Sequence, residues 1–196
     1  MEAAGVAVGK KNATRLKAHI VFLDEAGFQL MPSIQRTWAP IGLTPIVRHR
    51  MTREKLSVIS AISLSPIRRR VGLYYQVHGK NIQQPEVVHF ARHLLRHLQG
   101  NVILLWDCGA PHKGEPIRQL LRQHRRLRLV SFPPYAPELN PDEGVWRMSK
   151  AALANECHDS LETLLWSLTG ALEDLRCSPD HLRACIRHSE LPSIRL

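Results

Sequence analysis

Apolar residues in the first two thirds of the chain fall into short runs typical of β-strands. The first run, His19–Leu23, ends at Asp24 and predicts a buried strand followed by a polar turn through Gly27. The Asn101–Trp106 run is apolar throughout, which is typical of a strand covered on both faces. The further predicted strands are Lys55–Leu64, Val71–His78 and Leu127–Phe132, with residues 66–70 forming a hairpin.

Helical spacing appears between and after these strands. Gln84–Leu98 carries an apolar stripe with the 3.6-residue period of a helix. The further predicted helices are His112–Arg125, one opening at Asn140 with Pro141 in first position, Leu161–Leu175 and Pro179–His188. This order of elements predicts an α/β fold, a mixed sheet flanked by helices. We expect an N-terminal tail over residues 1–17 and one domain over residues 18–196.

The net charge of the chain indicates the class of partner that it binds. The chain has 196 residues, a net charge of +10 and a pI of about 10.0. Such a surface attracts a polyanion, because each neutralised phosphate releases a counterion, although a basic balance also serves solubility alone. No secretory signal or apolar run of about 18 residues occurs, so we expect a cytoplasmic protein with no membrane partner.

Three carboxylates lie at positions where they could form a metal-binding site. Asp24 and Asp107 each follow a predicted buried strand, and Glu143 lies in the first turn of a predicted helix. Oxygen ligands from separate elements suit hard divalent cations such as Mg²⁺, and two such ions can clamp a phosphodiester. Each acid also has a structural alternative: the two aspartates could start turns, and Glu143 could complete a capping box with Asn140.

Four sequence strings set these acids in a more specific context. The strings are Phe22–Phe28 (FLDEAGF), Arg36–Pro45 (RTWAPIGLTP), Leu105–Lys113 (LWDCGAPHK) and Pro133–Glu143 (PPYAPELNPDE), the last continuing to Trp146 and Lys150. Their order and content resemble the mariner-like insertion-sequence transposases, the bacterial branch of the mariner superfamily of DDE transposases. The 35 residues between Asp107 and Glu143 agree with that family's spacing.

The resemblance implies a ribonuclease-H-like, or retroviral-integrase-like, fold. It also implies that Asp24, Asp107 and Glu143 are the catalytic, metal-binding residues. Mg²⁺ or Mn²⁺, as two ions, would support cleavage of transposon ends and transfer of the freed 3′-hydroxyl to target DNA. The implied partners are DNA and a second copy of the chain, and the implied location is the bacterial nucleoid.

The sequence departs from the family in three places. Cys108 stands where the family usually has Asn, and Asp142 stands where an apolar residue is common, beside Glu143. Only 23 residues precede Asp24, so we expect the helix-turn-helix module to lie on a separate or frameshifted polypeptide. Two alternatives therefore stay open: a non-catalytic DNA-binding or dimerisation remnant, and a nuclease without strand transfer.

Several further residues are candidates for contact with DNA. The hairpin triplet Arg68, Arg69 and Arg70 favours non-specific binding of phosphate, although a solvated cluster is the alternative. His112, Lys113 and Lys150 lie near the acidic motifs, where His112 could instead bond a backbone carbonyl. Trp38 and Trp146 are expected to pack inside the protein rather than stack on bases.

Overall fold

A computed structural model describes residues 13–46, 52–68 and 70–191. Its sheet contains five strands in the order β3-β2-β1-β4-β5. The strands are β1 His19–Gln29, β2 Lys55–Leu64, β3 Val71–His78, β4 Val102–Trp106 and β5 Leu127–Ser131. The helices are α1 Gln84–His97, α2 Glu115–Gln123, α3 Asp142–Ala152, α4 Leu161–Arg176 and α5 Pro179–His188. Short 3₁₀ turns lie at Ala110–His112 and Pro137–Leu139.

The central strand, β1, has two neighbours of different length. It pairs antiparallel with β2 from Ile20 to Gln29, but parallel with β4 only from His19 to Phe22. Asp24 and Asp107 each lie two residues beyond the last parallel pair, Phe22 with Leu105. The two aspartates therefore meet at one edge of the sheet, where β4 has ended and β1 continues.

Each face of the sheet buries its own core, because alternate residues of a strand point to opposite sides. Ile20 and Phe22 belong to the core shared with α3, α4 and α5, whereas Val21 and Leu23 belong to the core shared with α1 and α2. The predicted mixed sheet with helices on its faces is confirmed.

Two predicted boundaries were wrong by about three residues or more. The first strand does not turn at Gly27 but runs to Gln29, because β2 pairs with it over that whole length. The helix predicted from His112 begins only at Glu115, after the 3₁₀ turn and Gly114 at φ 108°. That left-handed backbone angle is open to glycine but interrupts a helix. His112 consequently precedes the helix and is buried against the sheet.

Trp38 contradicts a third prediction. It was expected to pack inside the protein, yet its side chain is 98% exposed, in the irregular segment between β1 and β2. Trp146 does pack inside, at 2% exposure, with its ring edge-on to Phe28.

The start of the domain is only partly described. Ala13 and Ala18 are both fully buried in the core shared with α3 to α5, and the Ala18 amide donates to the Ala13 carbonyl at 2.9 Å. The boundary at residue 18 stays a prediction, with packing already present at residue 13. In the described part of the chain, no helix has the length and apolar content needed to cross a bilayer.

Candidate functional site

A cleft opens at the sheet edge where the two aspartates meet. Its volume is about 420 Å³, and all three predicted acids line it: Asp24 from β1, Asp107 after β4 and Glu143 from the first turn of α3. The opposite wall is the loop from Phe132 to Pro137. Its three prolines each restrict their own φ, and the backbone turns at Pro134 and Tyr135 before the 3₁₀ turn that begins at Pro137. The fold thus brings together three carboxylates that are up to 119 positions apart in sequence, from 24 to 143.

Asp24 is the most perturbed acid that lines the cleft. Burial raises its pKa to about 7, and the negative charge of Glu143 adds to that rise. The indole Nε1–H of Trp146 donates to Asp24 Oδ2 at 3.0 Å, and this hydrogen bond offsets part of the rise in the pKa of Asp24. A carboxylate this poorly solvated is stabilised in its charged form when a cation is nearby.

Asp107 is held by the loop that follows it. The Gly109 amide donates to Asp107 Oδ1 at 2.8 Å, and His112 Nδ1 lies 2.6 Å from the same oxygen. The close approach constrains residue 109, since a Cβ there would lie 2.8 Å from Asp107 Oδ1. Glycine at this position therefore lets the loop fold back onto the carboxylate.

His112 is buried between two acids rather than exposed to DNA. Its Nε2 lies 2.9 Å from Glu25 Oε1, its Nδ1 lies 3.1 Å from the Asp107 carbonyl oxygen, and its ring stacks on Trp106. Burial lowers the pKa of His112, but the hydrogen bond and charge of Glu25, with those of Asp107, raise it overall. The His112 side chain is only 2% exposed and contacts a backbone carbonyl, which was the alternative to a DNA contact; the DNA contact itself stays a prediction.

Asp142 and Glu143 are neighbours in sequence but face different surroundings. Glu143 is exposed and lines the cleft, whereas Asp142 is fully buried and accepts a hydrogen bond from Ser60 Oγ at 2.6 Å. Burial raises the pKa of Asp142 well above its usual value, and the charges of Asp24, Glu25 and Glu143 add to this. The Asn140 amide donates to the Pro137 carbonyl at 2.9 Å rather than to Glu143, so the described contacts do not form the capping box that was the structural alternative for Glu143.

Cys108, the departure from the family's Asn, also lines the cleft. Its Sγ lies 3.6 Å from the Phe132 carbonyl oxygen. The thiol thus joins the Asp107 loop to the proline-rich wall, although a thiol is a weaker donor than an amide. Tyr135 on that wall is fully exposed, with φ 57°.

The remaining predicted residues lie away from the cleft. Lys113 is exposed and Lys150 lines a separate cavity beside the end of β1. Arg68 is in the β2–β3 hairpin, at the opposite end of β1, where its charge acts on His19. Arg70 flanks the same hairpin, and Arg69 lies outside the described residues. The fold does not gather these residues around the acids.

Two residues of this region were missed from the sequence, Glu25 and Ser60, whereas Asn140 was expected at the start of the helix. Asn140 Nδ2 donates to the Leu23 carbonyl at 3.4 Å, and its Oδ1 accepts from the Asp142 amide at 3.2 Å, which ties the start of α3 to β1. Glu25 had a signal in its position beside Asp24. Nothing in its local sequence distinguished Ser60 within the apolar run of β2.

The donor set suits a hard divalent cation, because it consists of carboxylate oxygens. The buried charge of Asp24 and its electrostatic coupling to Glu143 favour a cation there. Among the described residues, no three His, Cys, Asp or Glu side chains are already gathered closely enough to hold a metal ion. The acids thus match a metal in chemistry and share one cleft without forming a closed ligand set.

Comparison with known families identifies the class of protein. A profile of the DDE superfamily endonucleases matches residues 19–165, which include all three acids and most of the sheet and helices. The chain therefore belongs to the DDE superfamily endonucleases, and the prediction of an enzyme of this class is confirmed. A search of curated proteins finds no match to the chain.

Solved structures extend the comparison to the fold. The chain is similar to the Mos1 transposase in its paired-end complex with the left transposon end, with TM-score 0.59 and 19% identity over 98% of this chain and 62% of that one. It is also similar to the catalytic domain of the Mos1 mariner transposase, with TM-score 0.53 and 15% identity over 98% and 95%. This likeness confirms the ribonuclease-H-like fold. The chain spans less than two thirds of the full Mos1 chain.

Proposed function

We propose that this chain is the catalytic domain of a DNA transposase that cleaves transposon ends and transfers the 3′-hydroxyl to target DNA. One observation carries the proposal: carboxylates from β1, the β4 loop and α3 line a single cleft in a chain of net charge +10. Membership of the DDE endonucleases supports the same chemistry. The acidic cleft accounts for catalysis, and the basic surface accounts for attraction of DNA.

Asp24, Asp107 and Glu143 would hold Mg²⁺ or Mn²⁺, as two ions. Mos1 structures of this fold are described as complexes with Mn and with Mg. When bound, the ions would supply Lewis-acid stabilisation of the phosphate and activation of the attacking oxygen. The chain's own part is to hold the acids: Trp146 orients Asp24, and Gly109 with His112 orients Asp107.

A second copy of the chain and DNA are the proposed partners. The segment between β1 and β2 exposes large apolar side chains that nothing in the described part of the chain covers: Ile34, Trp38, Ile41, Leu43 and Ile46. Apolar surface of this kind marks an interface more often than open solvent. The Mos1 relative is described as a paired-end complex with its transposon end. We extend the proposal to a homodimer acting at the bacterial nucleoid.

The test is cleavage of DNA carrying the element's own ends, with a helix-turn-helix module that binds those ends present in the reaction. Nicking that requires Mg²⁺ or Mn²⁺ and is abolished in Asp107→Asn and Glu143→Gln supports the proposal. Undiminished cleavage in both variants overturns it. A matched control is Glu162→Gln, at an exposed site in the first turn of α4, which should cleave like the wild type.

Two alternatives have their own readouts. Metal-independent DNA binding with no cleavage under any divalent ion would indicate a non-catalytic remnant, which the Cys108 substitution motivates. Cleavage of ends without joining of pre-cleaved ends to a target would indicate a nuclease of the same fold.

A further inference from the structure

We infer that Glu25 and His112 are positioning residues that fix the Asp107 carboxylate relative to Asp24. We call this pair the β1 clamp. The inference rests on the proposed function, because Asp24 and Asp107 matter together only if they hold a shared metal. Neither clamp residue lines the cleft, so each acts through Asp107.

The geometry of strand β1 explains how the clamp links Asp107 to Asp24. Asp24 and Glu25 are consecutive in β1, so their side chains leave opposite faces of the sheet. Asp24 points to the cleft, while Glu25 reaches His112. The residue adjacent to one candidate ligand thereby anchors the histidine that contacts the other. The distance between the two aspartates is then set through the β1 backbone.

The histidine ring has little freedom to move. Nε2 contacts Glu25 at 2.9 Å, and Nδ1 lies 2.6 Å from Asp107 Oδ1 and 3.1 Å from the Asp107 carbonyl oxygen. The ring also lies parallel to that of Trp106, with centroids 4.5 Å apart and 2° between planes. Any rotation of the ring loses a contact at one nitrogen or the stacking on Trp106.

Asp107 needs such a support because the sheet does not hold it. β4 ends at Trp106, and the next regular element is the 3₁₀ turn at Ala110. Asp24, by contrast, lies within β1 and pairs with Ser60 of β2. Groups that orient a metal-binding side chain from behind commonly contribute about 10–100-fold in metal affinity or activity. We expect the clamp to act in this range.

The test measures Mn²⁺ binding to the metal-free protein by calorimetry, together with Mn²⁺-dependent nicking. Glu25→Gln and His112→Gln should each weaken Mn²⁺ affinity by about 10-fold or more. Because both act through one ring, the double variant should lose little beyond the worse single variant. His89→Gln, an exposed histidine on α1, is the matched control and should bind like the wild type.

Conservative variants separate positioning from folding. The Asn amide nitrogen mimics Nδ1 and the Gln amide nitrogen approximates Nε2, so His112→Asn keeps the contact to Asp107 and His112→Gln loses it. The inference expects tighter Mn²⁺ binding in His112→Asn than in His112→Gln at matched thermal stability. Wild-type affinity in folded Glu25→Gln and His112→Gln would overturn it.

One further measurement distinguishes this inference from the proposed function. If wild-type protein binds no Mn²⁺ and cuts no DNA, the proposed function fails. The clamp is then judged by hydrogen exchange at the Gly109 amide, which donates to Asp107. Faster exchange in His112→Gln than in His89→Gln supports the clamp, and equal exchange rejects it.

Discussion

The two sides of the first turn of α3 place adjacent acids in contrasting environments. On the cleft side, Glu143 is exposed, and no described residue donates a hydrogen bond to its side chain or forms an ion pair with it. On the core side, Asp142 is fully buried with one donor, Ser60, and its Oδ1 has no partner among the described atoms. The acids differ by one methylene and one position, yet only the exposed one is available to a ligand.

The contrast shows that burial, rather than residue type, decides whether a carboxyl group can bind a cation. Desolvation favours the neutral form of a buried acid, so Asp142 is a poor cation ligand. Asp24 lies between these extremes, largely buried but open to the cleft. Burial therefore increases from Glu143 through Asp24 to Asp142, and we call this order the gradient of burial. Three experiments test whether it governs stability and metal binding.

The largest effect is expected from Asp24 in the metal-free protein. Its folded pKa is about 7 against an ordinary value of 3.8, so the folded state binds its proton more tightly. The stabilisation is complete below about pH 4 and is lost as pH rises through 7. Each tenfold change in proton affinity is worth about 1.4 kcal/mol. The contribution of Asp24 to the free energy of unfolding therefore has an upper bound of about 4 kcal/mol.

Asp24→Asn removes this titration. Urea denaturation from pH 4 to pH 8 should show wild-type stability falling more steeply than that of the variant. The difference between the two proteins isolates Asp24 from the other titrating groups. Parallel pH profiles would show that Asp24 is solvated in the folded state. The placement of Asp24 between exposed Glu143 and buried Asp142 would then be wrong.

An intermediate effect is expected from metal linkage. A ligand at 100 times its Kd stabilises the folded state by about 2.7 kcal/mol. Mn²⁺ should therefore raise the melting temperature of the wild type and of Asp142→Asn, but raise that of Glu143→Gln far less. The reason is that Glu143 lines the cleft while Asp142 faces Ser60. Equal Mn²⁺ shifts in the two variants would contradict the assignment of Glu143 as the third ligand.

Local pattern predicted most of the elements. The bounds of β2, β3 and α5 were predicted to the residue, because alternation and helical spacing coincide there with turn residues at each end. β1 was cut short because Glu-Ala-Gly carries weak strand propensity, and pairing with β2 overrides that propensity. Trp38 was misplaced because the prediction rested on its large apolar side chain alone, and the structure leaves that side chain 98% exposed.

The meeting of the three acids at one cleft was predictable from the sequence, whereas their role as metal ligands stays a prediction. Motif order and strand ends indicated Asp24, Asp107 and Glu143. Two contacts of this region join residues far apart: Trp146 with Asp24 across 122 positions, and Ser60 with Asp142 across 82. Such pairs depend on the finished sheet and on α3 crossing it, so no local spacing reveals them.

The smallest effect on the free energy of unfolding is expected at the buried pair of Ser60 and Asp142. Ser60→Ala removes the one described donor to Asp142 and leaves both of its oxygens buried without a partner. Such a loss costs about 1–3 kcal/mol of unfolding free energy, whereas replacing both partners by apolar groups is close to neutral. The double variant Ser60→Ala/Asp142→Leu should therefore recover most of the loss.

Denaturant unfolding of the wild type, the single variant and the double variant measures this difference, and DNA nicking provides the second readout. Because neither Ser60 nor Asp142 lines the cleft, nicking should stay close to wild type in every folded variant. A double variant no more stable than Ser60→Ala would show that Asp142 is stabilised by more than Ser60. A selective loss of nicking in the stable double variant would instead assign the buried acid to the reaction, and the division between the two sides of α3 would no longer hold.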